Sequence, residues 1–433
     1  MTEVAAARPG ARAVLTGDER ALVQQHTLRV LLVCAFFGGA SVSAVIAVAS
    51  LLTRDMLSND SFGGIGGASM QLGSALASVN LAGYMIRRGR RPGLQLGYVF
   101  GFLGSLIALT FGQLELLPLY LIGMVLFGGG QSANLQARYA AADLAETANR
   151  GQAIALILFG QTAGSIMGPL LTAPTGNLAH ALGLHRIVGP FLFSMACFVL
   201  AELTVMAMLR PDPLVAAGGV RPDAPRQRPI LTLRLALGAI GRSPRAKVAL
   251  AALIVSQSVM VMVMTMTPLH LRAHGHSATL SGFVISLHVA GMYGFSPLVG
   301  RSSDRVGRPR TLLFGGGVLA LATIVTALAG EVVPLMFVGL FLLGVGWSFG
   351  LISGSALLTE SVAPEERVLV QGSSDLMMSI CGGAAGFASG FLKQALGFHM
   401  LANIGTIAAV MLVIAVVKVL GVPGTLQPAI AAQ

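Results

Sequence analysis

Charge is scarce in this sequence. Only 10% of its 433 residues are charged, with 17 acidic against 28 basic side chains, and tryptophan occurs once. A soluble domain carries about a quarter charged residues, so an ordinary water-exposed globule is excluded. Cysteine is nearly absent too. Cys34, Cys197 and Cys381 show no CxxC or finger spacing, which excludes a disulfide framework and a zinc site. No glycine-rich nucleotide signature lies between a strand and a helix pattern, and no catalytic constellation is present. The chain therefore reads as neither an ATP-driven machine nor an enzyme, and no cofactor is implied.

What the chain has in abundance is apolar length. Hydrophobic residues make up 55% and mean hydropathy is +0.79. Apolar runs of about 20 residues, enough to cross a ~30 Å hydrocarbon core, recur from end to end. Only helices suit that pattern in lipid. Twelve spans are predicted, near 28–52, 64–86, 93–114, 116–138, 151–174, 187–209, 247–269, 281–300, 310–330, 333–357, 369–392 and 399–420. The expected fold is an all-α membrane protein of twelve transmembrane helices in two pseudo-symmetric six-helix halves, 28–209 and 247–420. A polar N-terminal tail (1–27) without a cleavage site, a Pro- and Arg-rich linker (210–246) and a C-terminal tail (421–433) complete it.

The basic excess reports topology rather than a polyanion partner. With the N-terminus inside, every lysine and arginine falls on the inner side except Arg54, Arg186, Arg272 and Lys393. The positive-inside rule then places both termini in the cytoplasm of a multi-pass protein of the cell membrane. Nucleic acid is excluded as a partner; the lipid bilayer and a small solute or metal ion are expected. The sequence leaves the oligomeric state unassigned.

The halves echo each other. "RRGRRPGLQLG" from Arg87 and "DRVGRPRTLLFG" from Asp304 both follow the second span of a half, aligning Gly89 with Gly307 and Arg90 with Arg308. Asp143 precedes Arg150 by seven residues, as Glu360 precedes Arg367, after the fourth span of each half. Repeats around a midplane cavity are a layout of secondary transporters. "GRSSDRVGR", Gly300 to Arg308, resembles the G-x-x-x-D-R-x-G-R loop of the major facilitator superfamily, with all five positions matched. The resemblance implies transport by alternating access, with Gly300, Asp304, Arg305, Gly307, Arg308, Glu360 and Arg367 forming a cytoplasmic gate. In the first half Ala82 stands at the glycine position and Ile86 at the aspartate, leaving Arg87, Gly89 and Arg90, with Asp143 and Arg150, for the matching contact. Exposed pairs of this kind are worth about 0–1 kcal/mol, weak enough to break each cycle.

Gly160, Gly164 and Gly168, followed by Pro169, form a small-residue stripe and a bend in the fifth span. Gly164, Gly168 and Pro169 resemble the core of the superfamily's antiporter motif, although Thr172 and Ala173 replace the usual glycine pair; close packing is the alternative.

Two rows of soft ligands follow. Met260 with Met264, and Met262 with Met266, form two pairs about 200° apart on the seventh span, so only one can face a cavity. His288 and Met292 share a face of the eighth span at a similar depth. Thioether and neutral imidazole favour Cu(I). Met260, Met264, His288 and Met292 resemble the paired motifs of the CcoA-type copper importers, which implies copper as substrate at these four residues. Core packing is the alternative for the methionines. Gln131, Asn134 and Arg138 on the fourth span fit a proton-coupled exporter of a drug-like or metabolite molecule instead, with Arg138 expected to pair with Asp143. A membrane sensor without flux is a third class. His270, His274, His276, His180, His185 and His399, on the outer side, are candidates for metal collection or pH sensing.

Topology is testable by fusion. A fluorescent protein that folds only in the cytoplasm should light up when inserted at the linker or joined to Gln433. Alkaline phosphatase should be active in the loop between the seventh and eighth spans and inactive at the other two positions. The reverse pattern overturns the orientation.

Overall fold

The computed structural model describes residues 17–57, 64–223, 229–275, 278–330 and 332–421. The segment 1–16, the tail beyond Gly421 and His276 lie outside the described residues. The elements among those described are helical: α1 (Gly17–Leu57), α2 (Ile65–Arg88), α3 (Arg90–Gln113), α4 (Leu117–Ala142), α5 (Arg150–Leu170), α6 (Thr172–Ala181), α7 (Gly189–Met208), α8 (Pro213–Ala216), α9 (Pro229–Arg242), α10 (Pro244–Ala273), α11 (Ala278–Val289), α12 (Ser296–Val306), α13 (Arg308–Ala329), α14 (Val333–Glu360) and α15 (Arg367–Leu420). Helices α1 to α4 are spans 1 to 4, α5 with α6 is span 5, and α7 is span 6. In the second half α10 is span 7, α11 with α12 is span 8, α13 and α14 are spans 9 and 10, and α15 is spans 11 and 12, which reverse at Gly397 (φ 81°). Large apolar side chains such as Phe314, Leu328, Phe387 and Phe391 face outward, as a bilayer requires.

Glycine decides how close the helices come. A Cβ on Gly164 would strike the carbonyl of Phe36, and one on Gly39 would lie 2.8 Å from the Gln161 carbonyl, so α1 and α5 touch backbone to backbone. The stripe read from the sequence is thus the α1 contact. The bend falls just after it: α5 and α6 are inclined by 53° across Leu171.

The internal repeat is visible in the backbone. Gly89 (φ 100°) and Gly307 (φ 97°) both end a second span and begin a third, in a conformation that favours glycine. Across the halves, α2 packs on α15 and α12 packs on α5, two seams related by the pseudo-symmetry.

Two features depart from the sequence expectation. Helix α1 is already formed at Gly17, the first described residue, rather than beginning near 28, and its polar early turns have partners. Arg20 donates to the Leu144 carbonyl (3.0 Å), Gln24 donates to that of Ala141 (2.7 Å), and His26 Nε2 donates to that of Met208 (2.7 Å). These satisfy carbonyls at the ends of α4 and α7 that their own helices leave open. Span 8 is interrupted by a π-turn at Ala290–Gly294, a wide turn that recurs at functional sites. The linker is partly folded: Asp212 caps α8 and accepts from Leu214 N (2.9 Å), while Ser243 accepts from Ala246 N (3.2 Å) beside Pro244 at the start of α10.

Candidate functional site

The positively charged junctions gather at one end of the bundle, the basic end, and there the two halves are latched. Asp304 at the end of α12 accepts from the backbone N–H groups of Gly151 (2.9 Å) and Gln152 (2.8 Å) at the start of α5. A carboxylate at a helix N-terminus meets both free donors and the positive end of the dipole. Arg308, 6% exposed, pairs with Asp304 and with Glu360 (3.0 Å) in its own half and donates to the Thr147 carbonyl (2.7 Å) of the other. Its counterpart Arg90 is fully buried. It grips Asp143 with two bonds (2.7 and 3.1 Å) and reaches across to Gln371 (2.6 Å). Arg367 donates to the Thr359 carbonyl (2.9 Å). Arg150 lies among Arg367, Glu360, Arg308 and Asp143; burial, and after it the like charge of Arg367, pulls its guanidinium below the ordinary arginine value.

Of the predicted gate residues, the structure brings together Asp304, Arg308, Glu360, Arg90, Asp143, Arg150 and Arg367. Arg305 is exposed, and Arg87 is half-buried without an ion pair among the described residues. The expected exposed, weak pairs are instead buried and lie within each half. What crosses the seam is a smaller set of bonds to backbone groups and to Gln371.

The seams explain the two departures of the first-half loop. Gly300 faces Ala155 across one seam, where an added Cβ would come within 2.5 Å of the alanine methyl. Ala82, which stands where that glycine would be, faces Gly372 across the other. Gly372 follows Arg367 by five residues, as Ala155 follows Arg150. Each seam thus holds one glycine and one alanine with the roles exchanged. Ile86, in place of the aspartate, packs in the apolar cluster that contains Val368 at the start of α15. At the aspartate position, then, one latch is polar and the other apolar. Asp212 from the linker accepts from Arg91 N (2.6 Å) at the start of α3, a contact within the first half.

A second charged contact crosses between the halves deeper inside. Arg138 of α4 does not pair with Asp143; it donates to Asp375 of α15 at 2.5 Å, with both side chains essentially fully buried. Asp143 is held by Arg90, and its closeness in sequence to Arg138 gave the wrong partner. Arg138 also donates to Tyr139 Oη (3.1 Å) and to Ser355 Oγ (3.3 Å) of α14, and Tyr139 Oη meets Ser374 Oγ at 3.3 Å. At this hub Asp375 Oδ2 and, one helical turn from Arg138, Asn134 Oδ1 are buried without a partner among the described residues. Such orphans are uncommon because each costs about 1–3 kcal/mol. The signal was legible: Arg138 and Asp375 are opposite charges inside predicted spans, and intramembrane charges seek partners.

The methionine and histidine row divides. Met262 (6% exposed) and Met266 (7%) are packed in the second-half core with Leu319 and Leu401, while Met260 and Met264 are half-buried. Met292 belongs to the apolar cluster around Trp347, and Met260 packs at its edge; Met264 packs against the separate cluster of Met262. His288 is 2% exposed and lies against α14, its Nδ1–H donating to the Leu340 carbonyl (2.8 Å). That bond fixes the tautomer, so Nε2 carries a lone pair, and it has no partner among the described residues. Among the described residues no group of three histidine, cysteine or acidic side chains is arranged to hold a metal. Two of the outer histidines are helix caps. His270 Nε2 meets the Gly330 carbonyl (3.0 Å) and His399 Nδ1 that of Ala327 (2.5 Å), at the end of α13.

Two six-helix halves that meet along paired seams, latched at one end and carrying a charged contact between them, define a membrane carrier that works by alternating access. Residues 31–292 and 248–432 each match the sequence profile of the Major Facilitator Superfamily, and the chain belongs to that family. It is not an enzyme. It is 35% identical over 402 residues to the uncharacterized MFS-type transporter YdeG of Bacillus subtilis (strain 168), covering 92% of this chain and 93% of that one. It is 29% identical to the riboflavin transporter RfnT of Brucella anthropi, over 88% of this chain and 92% of that one. The crystal structure of the human organic anion transporter MFSD10 superposes with a TM-score of 0.71 at 14% identity, covering 91% and 99% of the two chains. These relatives give the CcoA-type branch no support.

The exchanged small residues make a direct test. Gly372→Ala should destabilise the latched state by about 1–3 kcal/mol, the usual cost of overpacking a tight contact. Ala82→Gly in the same chain should restore most of it. Thermal unfolding of the purified single and double variants checks the pair; additive losses would overturn the contact.

Proposed function

We propose that this carrier moves a polar organic solute across the cytoplasmic membrane in exchange for or together with protons, with its basic end facing the cytoplasm. The Arg138–Asp375 pair carries the reading. It joins the halves, so it must part when the basic end opens. A protonated Asp375 would leave Arg138 a buried cation without a counter-ion, a state costing about 3–5 kcal/mol. Proton arrival therefore weakens the latch, and acid favours opening. The oxygen of Asn134, buried one turn from Arg138 without a partner among the described residues, suits a solute with hydrogen-bonding groups. The likeness to a riboflavin transporter supports the same class of cargo.

Riboflavin is the first compound to try. Proteoliposomes should accumulate it under an imposed pH gradient, and Asp375→Asn should abolish gradient-driven accumulation while leaving solute exchange within about tenfold of wild type. Accumulation that is indifferent to the gradient, or unaltered in Asp375→Asn, refutes proton coupling at this pair; no riboflavin movement by wild type refutes that cargo.

A second reading, copper import through Met260, Met264, His288 and Met292, is favoured by one observation. His288 Nε2 is a buried lone pair without a partner, on a ring already oriented by its other nitrogen, the disposition that metal-ligating histidines adopt. The half-buried position of Met260 and Met264 is compatible with it. His288→Ala with Met292→Ala should then lower cellular copper severalfold without altering riboflavin transport, measured by elemental analysis of cells. Unchanged copper would dismiss this reading.

A further inference from the structure

Helix α9, in the linker, buries one apolar side and leaves a pair of leucines exposed on another. Thr232, Ala236, Ala239 and Ile240, spaced along one side, are buried against α15, α10 and α2. Of the exposed residues, Leu231 and Leu235 (45% each) share one flank, and Ile230 (83%) and Leu237 (40%) lie on another, about 100–160° away. Exposed Arg234 lies among them, and exposed Arg242, Arg245 and Lys247 follow; no acidic residue occurs from Pro229 to Lys247. Arg242 is partly neutralised by Glu366, and the other three form no ion pair among the described residues. At 14 residues, about 21 Å long, the helix is too short to cross a bilayer. It packs beside the end of α2 and the starts of α10 and α15, level with the basic rim of the bundle.

We propose that α9 is an interfacial helix seated in the headgroup layer of an anionic leaflet, with Leu231 and Leu235 reaching the acyl boundary and Arg234, Arg245 and Lys247 reading lipid phosphates. Leucine on one side and unbalanced positive charge along the same surface is the chemistry of such helices, and anionic lipid is the charge that complements it. A soluble partner would have to cover a leucine face at the level where lipid is already present. Because α9 touches α2 of one half and α10 and α15 of the other, its seat in the lipid holds the linker in the membrane plane while the halves rock.

The test uses the full-length chain with Cys34, Cys197 and Cys381 changed to alanine and a spin label at Leu235→Cys, or separately at Leu231→Cys. The control label is at Glu365→Cys, whose side chain is 53% exposed. Proteins are placed in phosphatidylcholine vesicles with and without phosphatidylglycerol, and each variant's thermal unfolding is compared with the parent. In anionic vesicles both α9 labels should collide severalfold more often with oxygen than with a water-soluble nickel chelate, corresponding to a depth of about 5–10 Å, while the control shows the opposite ratio. The depth should decrease without phosphatidylglycerol and in Arg234→Glu with Arg245→Glu. A water-like ratio at both α9 positions overturns the proposal, as does a depth indifferent to lipid charge and to the arginine changes. Dipolar coupling between α9 labels that vanishes on dilution with unlabelled protein assigns the face to a second copy instead and also overturns it.

Discussion

Everything at the basic end depends on how closely the two halves approach. Where α2 meets α15 and α12 meets α5, the contact is one glycine against one alanine, and this spacing brings Asp304 within reach of the α5 amides and Gln371 within reach of Arg90. Charge then acts over hydrogen-bond distances rather than through solvent. The pairs Arg90–Asp143 and Arg308–Glu360 stay inside their own halves, so each half carries its own neutralised arginine, and only the remaining donors of that guanidinium reach the partner. Rocking then has to break a handful of cross-seam hydrogen bonds without separating those two ion pairs. Arg138–Asp375 is the exception, a full ion pair that spans the boundary.

Much of the architecture was legible because lipid imposes a strict rule on the backbone. Runs of about 20 apolar residues have one solution in a bilayer, and the duplicated loops showed that the solution is used twice. The positions of Gly89 and Gly307 were readable for the same reason: a positive φ favours glycine, and the pattern recorded that backbone demand. Helix ends were less legible. The start of α1 depends on open carbonyls at Ala141, Leu144 and Met208, and no local pattern near Gly17 announces partners more than 100 residues away.

The site was legible by type of residue and less so by partner. Arg138 was visible as a charge inside a span, but closeness in sequence suggested Asp143, whereas the fold supplies Asp375 from the other half. Likewise Ala82 and Ile86 read as a decayed motif when the loop is viewed alone. The opposing surfaces show that Gly372 and the apolar cluster around Val368 preserve the fit. Periodicity put the four methionines of α10 on two faces correctly, yet only packing distinguishes the core pair Met262 and Met266 from the half-buried pair.

The contacts of the first helix also bear on biosynthesis. The donors at Arg20 and Gln24 are translated more than a hundred residues before the carbonyls they serve, and His26 waits for Met208. The opening turns of α1 therefore cannot reach their final seat until the ribosome has passed the sixth span. Those contacts join the first helix to the ends of the fourth and sixth spans, all within the first half.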